Sequence, residues 1–249
     1  MNILISGVTG AMGQVLDELI SDSKHQVVAG FANQRVENLH YPVYTSLEDV
    51  EEEVDLVIDF SQPTSLQALL DYGKSNNIPL VIATTGYTDE EEGAIREASS
   101  EIPILFAKNM SLGINMTEKI VEQLAHALPQ FDIEIIEKHH RYKKDSPSGT
   151  AKMLVEAAKT GRNDESPVLE GRSGLYDERL KNEIGVMAVR GGTIVGEHTV
   201  LFAGEDEVIE IKHSAQSKKV FANGALTAAE FLVNQSPGLY DMNDVLGGE

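Results

Sequence analysis

Through the first hundred or so positions, apolar residues fall into short runs at 2–6, 26–31, 56–60, 80–83 and 104–106, each followed by a polar segment long enough for a helix. This alternation predicts a parallel sheet with helices on both faces, because parallel neighbours need a crossover and helices are the usual one. Beyond residue 160 the rhythm changes. A polar loop is expected over 161–174, followed by strands at 185–189, 197–202 and 208–213, and a last helix over 221–233. Within 208–212 apolar and polar residues alternate one by one, the pattern of a mixed or antiparallel sheet with one covered face. The residues from Tyr240 to the Gly-Gly-Glu end read as a surface tail.

The first run leads directly into Gly7-Val8-Thr9-Gly10-Ala11-Met12-Gly13 and then into a helical pattern over 15–20. Strand, glycine-rich turn and helix form the arrangement in which backbone N–H groups approach a pyrophosphate at a helix N-terminus. The G-x-x-G-x-x-G spacing is a variant of the usual fingerprint, and a plain structural turn remains the alternative. Ligands of such sheets sit beyond the carboxyl ends of the strands. Small and polar residues end three of them: Asp59-Phe60-Ser61-Gln62-Pro63, Ala83-Thr84-Thr85-Gly86 and Ala107-Lys108-Asn109-Met110. Together with the glycine turn they predict a cofactor rim. The acidic residue expected after the second strand to accept a ribose 2′-OH is absent, since Ala32-Asn33-Gln34-Arg35 stands there. The choice between NADH and NADPH therefore stays open.

The chain has 249 residues, 41% hydrophobic and 24% charged, enough for one large α/β unit or two modest domains. With no cysteine, disulfides, thiolate metal sites and thiol nucleophiles are excluded. A formal net charge of −20 disfavours nucleic acid and anionic membranes as partners. The longest apolar runs are strand-sized and a strand begins at Asn2, so neither a membrane span nor a signal peptide is expected, and a cytoplasmic location is the default.

Against this acidic background one basic island stands out: Glu137-Lys138-His139-His140-Arg141-Tyr142-Lys143-Lys144-Asp145-Ser146-Pro147-Ser148-Gly149-Thr150. Histidine exchanges protons near neutral pH, and lysine offers a cation that binds carboxylate and donates a proton. Adjacent histidines on a strand point to opposite faces, so His139 and His140 are expected to differ in role. Ser148 is placed to cap a helix over 151–159, leaving the amides of Gly149 and Thr150 as a site for a carboxylate. A solvated basic loop, an ordinary capped helix and a metal-binding histidine pair are the alternatives. Metal is the weakest, because no third ligand has matching spacing.

The sequence resembles the 4-hydroxy-tetrahydrodipicolinate reductase (dihydrodipicolinate reductase) family over essentially its full length. The island carries the pattern E-x-H-H-x-x-K-x-D-x-P-S-G-T, and further matches are Ile58-Asp59-Phe60-Ser61, Asn109-Met110-Ser111, Arg190-Gly191-Gly192, Gly196-Glu197-His198-Thr199 and Phe221-Ala222-Asn223-Gly224-Ala225. The resemblance implies NAD(P)H-dependent reduction of 4-hydroxy-tetrahydrodipicolinate in lysine and diaminopimelate biosynthesis. It implies His139 as acid/base residue, Lys143 as proton donor, and His140, Gly149 and Thr150 on the substrate carboxylates. Gly7, Val8, Thr9, Gly10, Ala11, Met12, Ala83, Thr84, Thr85, Ala107, Lys108, Asn109 and Met110 would face NADH or NADPH. The family's acidic ribose position falls at Ala32. The fold implied is α/β, a Rossmann-like dinucleotide-binding domain from 1–110 and 217–249 with an α+β substrate-binding and oligomerisation domain from 111–216. A hinged cleft and a homotetramer joined through the second-domain sheets are also implied. Two rivals remain: another dehydrogenase of a small anionic substrate, and a non-catalytic dinucleotide-sensing module. The first loses ground because neither a cysteine nucleophile nor a Y-x-x-x-K pair is present. The second leaves the basic island without a purpose.

Overall fold

A computed structural model of the chain describes residues 1–36, 38–175 and 178–247, which fall into two units, Met1–Leu112 with Lys218–Glu249, and Gly113–Ser217. The first unit is built on strands β1 (Asn2–Ser6), β2 (Gln26–Phe31), β3 (Val43–Tyr44), β4 (Leu56–Asp59), β5 (Leu80–Ile82), β6 (Pro103–Phe106) and β12 (Gly238–Tyr240). They pair in parallel in the order β12-β6-β5-β4-β1-β2-β3. Alternation along the strands sorts the core into two layers. Ile3, Ile5 and Ile58 face helices α1 (Ala11–Ser21) and α6 (Lys219–Leu232), while Leu4, Val57 and Ile82 face α2 (Leu66–Asn76) and α3 (Asp89–Ala98). The parallel sheet with helices on both faces is thus observed. The chain order reverses at β1, next to β4, the crevice where ligands of such sheets bind.

Two edge strands differ from expectation. β3 is only two residues long, too short to show a period. Tyr240, expected in a surface tail, belongs to β12, which adds a parallel edge strand beside β6 and is followed by the short helix α7 (Met242–Val245). Tyr240 packs edge-on against Phe231 of α6, with ring centroids 5.7 Å apart, and that contact holds the segment. Gly248 and Glu249 of the expected tail lie outside the described residues.

The second unit pairs β7 (Asp132–His139), β8 (Val168–Glu170), β9 (Ile184–Arg190), β10 (Gly196–Ala203) and β11 (Val208–Ala215) in the order β11-β10-β7-β9-β8. β7 and β8 run parallel to β9, whereas β10 is antiparallel to both β7 and β11, so the sheet is mixed. Helices α4 (Leu112–Ala127) and α5 (Gly149–Arg162) cover one face, Val121, Leu154 and Ala158 packing on Ile133, Ile135, Val186, Val200 and Phe202. Gly161 allows the helices to meet closely, because a Cβ there would lie 2.2 Å from the carbonyl oxygen of Glu122. β8 interrupts the loop expected over 161–174, and β7 runs three residues past the apolar stretch at 131–136. That extension matters, since it carries Glu137 and His139 onto the same buried face as Ile133 and Ile135.

Candidate active site

In the first unit the glycine turn is held by contacts that only glycine permits. Gly7 has φ +80°, its N–H donates to the Phe31 carbonyl at 2.9 Å, and its own carbonyl accepts from Gly10 at 2.9 Å. A Cβ on Gly7 would lie 2.5 Å from the Phe60 carbonyl oxygen, and one on Gly13 would lie 2.3 Å from that of Gly7. The turn is therefore pressed against both the β4 end and the first turn of α1, where Gly10 is the N-cap. A concave pocket of ≈ 260 Å³ opens there, lined by residues including Gly7, Thr9, Gly10, Ala32, Asn33 and Ser61. Thr9 and Ala11 are exposed; Val8 is core, and Met12 is half-buried and packs on the core, so Val8 can offer a ligand only its backbone.

The other strand ends supply two more turns. Ala83 and Thr84 are buried after β5 while Thr85 is exposed. Beside them lies Asp59, 1% exposed, with Oδ1 accepting from the Ser61 amide at 3.2 Å and the Ser61 hydroxyl at 2.5 Å. Burial raises this carboxyl above the usual range. After β6, Ala107 is half-buried, and Asn109 Oδ1 accepts from the Ser111 amide at 2.9 Å. Met110 is core, and the surface ammonium of Lys108 pairs with Glu92 at 2.7 Å. Gly224 of α6 presses on this turn so closely that a Cβ would fall 1.7 Å from the Met110 carbonyl oxygen.

The second unit's cluster is made of side chains. Glu137 is fully buried. Its Oε2 accepts from His139 Nδ1 and from Arg190 Nη1, each at 2.7 Å, and its Oε1 accepts from Arg190 Nη2 at 2.7 Å and the Ser148 amide at 3.0 Å. Burial works to raise this carboxyl, but the hydrogen bonds from Arg190, His139 and Ser148 outweigh it, and the group lies below the usual carboxylate range. An ionised carboxylate only accepts, so His139 carries its hydrogen on Nδ1. Nε2 makes no hydrogen bond among the described residues and packs near Gly196, where a Cβ would approach it to 3.1 Å. Burial shifts the His139 imidazole below its ordinary value; the Glu137 carboxylate opposes the shift, while Lys143 and Arg190 add to it.

Beside His139 stands His198 of β10, its ring 5.1 Å away in an edge arrangement. Burial pushes His198 down to about 4, so it is neutral at physiological pH. Its Nε2 meets the Ser148 hydroxyl at 3.0 Å, and that same hydroxyl accepts from the Ala151 amide at 3.2 Å, making Ser148 the N-cap of α5. The helix begins at Gly149, which is exposed, and a Cβ there would meet nothing within 4 Å. Thr150 follows, half-buried. Lys143 Nζ lies 2.9 Å from Asp145 Oδ1. His140, just past the strand end, is less buried than His139, and its Nδ1 is buried with no hydrogen-bond partner.

The structure thus joins His139, Ser148 and the start of α5 around Glu137, and pairs Lys143 with Asp145 on the intervening loop. Three participants were not given a role from sequence: Glu137, Arg190 and His198. Arg190 and His198 lie 53 and 61 positions beyond Glu137, and only the pairing of β7 with β9 and β10 brings them alongside. Among the described residues no group of three or more His, Asp or Glu could hold a metal ion.

Family models described as dihydrodipicolinate reductase match nearly the whole chain, the N-terminus model over residues 1–110 and the C-terminus model over 113–246. A protein of Caldanaerobacter subterraneus subsp. tengcongensis named 4-hydroxy-tetrahydrodipicolinate reductase is 48% identical over 247 residues, spanning 99% of this chain and 98% of its own. One of the same name from Brachyspira hyodysenteriae is 46% identical, spanning 99% and 100%. Among solved structures, dipicolinate-bound dihydrodipicolinate reductase from Paenisporosarcina sp. TG-14 superposes with a TM-score of 0.80 at 24% identity, covering 97% of each chain.

Proposed function

Because the chain belongs to the dihydrodipicolinate reductase family, we propose that it reduces 4-hydroxy-tetrahydrodipicolinate to tetrahydrodipicolinate with NADH or NADPH, a step of lysine and diaminopimelate biosynthesis. The observation that carries this reading for the chain's own residues is the buried Glu137 carboxylate, which fixes His139 on one side and the start of α5 on the other.

The residues of the first unit fit a dinucleotide. Gly7 and Gly13 keep the turn free of Cβ atoms that would collide with the backbone, and the α1 N-terminus ends at Gly10 beside a concave pocket. Gly7, Thr9, Gly10 and Ala11 with the amides of Val8 and Met12 would hold the pyrophosphate, and the turns at 83–85 and 107–110 the nicotinamide end. Among the described residues, Ala32 and Asn33 after β2 and the others lining this pocket present no carboxylate to select for a ribose 2′-OH or to repel a 2′-phosphate. When bound, the reduced nicotinamide supplies the hydride.

The chain's own chemistry is placement and protonation. The Gly149 and Thr150 amides, His140 and Lys143 take the two carboxylates of the substrate, which turns a bimolecular encounter into a positioned one. Reduction takes up a hydride and a proton and releases the substrate's 4-hydroxyl as water; hydride addition to the conjugated imine left by that loss puts electron density on nitrogen and the adjacent carbon, and an acid must quench it. Lys143 donates that proton from its ammonium. His139 exchanges protons through Nε2, and an incoming dianion favours its protonated form. The protein acts in the cytoplasm as a homotetramer joined through the second-unit sheets, where Val189 and Val208 are exposed. Among the described residues no helix is long and apolar enough to cross a membrane.

The direct test follows oxidation of NADH and of NADPH with freshly generated 4-hydroxy-tetrahydrodipicolinate. Turnover with at least one of them is expected, together with inhibition by pyridine-2,6-dicarboxylate. Absence of turnover with both, in protein that binds the cofactor, defeats the assignment.

A further inference from the structure

Resting on that reading, we propose that Glu137 and Arg190 are positioning residues of the reduction. Glu137 dictates which nitrogen of His139 exchanges protons, and Arg190 ties that imidazole to the loop carrying Lys143.

The linkage is a continuous series of short contacts. His139 Nδ1 donates to Glu137 Oε2 at 2.7 Å, and both Glu137 oxygens accept from the Arg190 fork at 2.7 Å. Arg190 Nη2 also donates to the Asp145 carbonyl at 2.7 Å, and the Asp145 side chain holds Lys143 Nζ at 2.9 Å. Strand pairing reinforces the arrangement. The Gly191 amide donates to the His139 carbonyl at 2.9 Å, and the Arg141 amide to the Gly192 carbonyl at 3.3 Å. One guanidinium therefore faces the carboxylate beneath one acid/base group and the backbone beside the other. Only a planar fork with several donors does this; a lysine ammonium is a single point.

The charges around His139 fix the signs. Glu137 lies on its own strand, Arg190 on β9, neutral His198 on β10 with His213 of β11 opposite it, and Lys143 and Asp145 on the following loop. Glu137 favours the imidazolium, while Arg190 and Lys143 oppose it. Glu137→Gln removes the favourable charge, so the His139 titration midpoint falls. Arg190→Gln removes an opposing charge and leaves the carboxylate to the imidazole, so the midpoint rises. Both variants lose kcat all the same, by about 10- to 100-fold, as when other outer partners that orient a histidine are removed. Arg190→Lys restores the charge without the fork, so the midpoint returns toward wild type while kcat stays low.

The experiment is proton NMR titration of the His139 ring in the four proteins, with steady-state kinetics, cofactor binding and melting curves on the same samples. Opposite movements of the midpoint in Glu137→Gln and Arg190→Gln, with kcat lowered in both and cofactor affinity retained, support the proposal. Movements of one sign, no movement, or unchanged kcat overturn it. Should Glu137→Gln fail to fold, the Arg190 pair decides: a rise in the glutamine variant reversed by lysine supports the linkage, and the lack of either defeats it. The midpoints are read without substrate, so an inactive wild type would refute the proposed reaction while leaving the electrostatic linkage separately measurable.

Discussion

The two halves of the candidate machinery use opposite materials. The strand-end rim of the first unit is made of backbone, with glycines that let chain segments touch and a turn that lines a concave pocket. The cluster in the second unit is made of buried side chains, in which one carboxylate takes four hydrogen bonds from three residues. Backbone recognition fails when atoms are added. Side-chain recognition fails when charge is removed, because the partners left behind are buried and unpaired. This contrast suggests separate ways to damage each half.

The largest effect is expected on the side-chain half. His139→Gln or Lys143→Ala should lower kcat by about 10²- to 10⁴-fold, the usual range for a general acid or base. Neither residue belongs to the unit that carries the rim, so the NADPH dissociation constant, read by fluorescence titration, should stay within about twofold, well under the 1.4 kcal/mol of a tenfold change. Equal losses of turnover and cofactor affinity would erase the distinction between the halves.

Next comes the backbone half, where a glycine of the turn can be compared directly with the glycine that starts α5 in the other unit. A Cβ at Gly13 would sit 2.3 Å from a backbone oxygen, whereas one at Gly149 would meet nothing within 4 Å. Gly13→Ala should therefore destabilise by at least about 1–3 kcal/mol through overpacking and loosen the cofactor with it. Gly149→Ala should melt close to wild type. Thermal melts of the two variants side by side decide the matter; similar melting would mean the turn is not compressed.

The same contrast explains what could be read from the chain. The glycine turn and the capped start of α5 were legible because short motifs act through neighbouring backbone. Ser148 accepts from Ala151 three residues on, and Gly10 donates to Gly7 three residues back. Arg190 and His198 stand in short segments that match the family but carry no legible role there, as their partner Glu137 is remote in sequence and reaches them through strand register. Glu137 itself sat in plain view, but its burial depended on β7 continuing to His139, and the polar residues at its end hid the strand period. β12 escaped for a related reason: three residues with a glycine at the start carry little strand signature, and pairing with β6 supplies what propensity does not.

A pH effect of intermediate size belongs to the side-chain half. A histidine held below its ordinary value is neutral in the folded state while the unfolded chain takes up the proton. Stability contributed by His198 is therefore complete above the unfolded value near 6.5 and declines as pH falls toward about 4. The size is on the order of 3 kcal/mol for a shift of this extent. Melting curves between pH 7 and 4 should show a decline that His198→Gln flattens. A variant that falls as steeply as wild type would remove His198 from the account.

The smallest effect sharpens the role of Lys143. Its ammonium pairs with Asp145, whose side chain is 56% exposed, so this is a surface ion pair in competition with any incoming carboxylate. Such pairs contribute about 0.2–1 kcal/mol. Asp145→Asn keeps the carbonyl that Arg190 uses but releases the ammonium, and pyridine-2,6-dicarboxylate should bind about 1.4- to 5-fold tighter at low salt. Added salt screens the ammonium's attraction for the dianion in both proteins, but it also weakens the pair that competes for the ammonium in wild type, so the gap should narrow as ionic strength rises. Calorimetric titration at low and high salt measures both quantities. Weaker binding by the variant would show instead that Asp145 presents Lys143 to the ligand, making the ion pair an aid to binding and not its competitor.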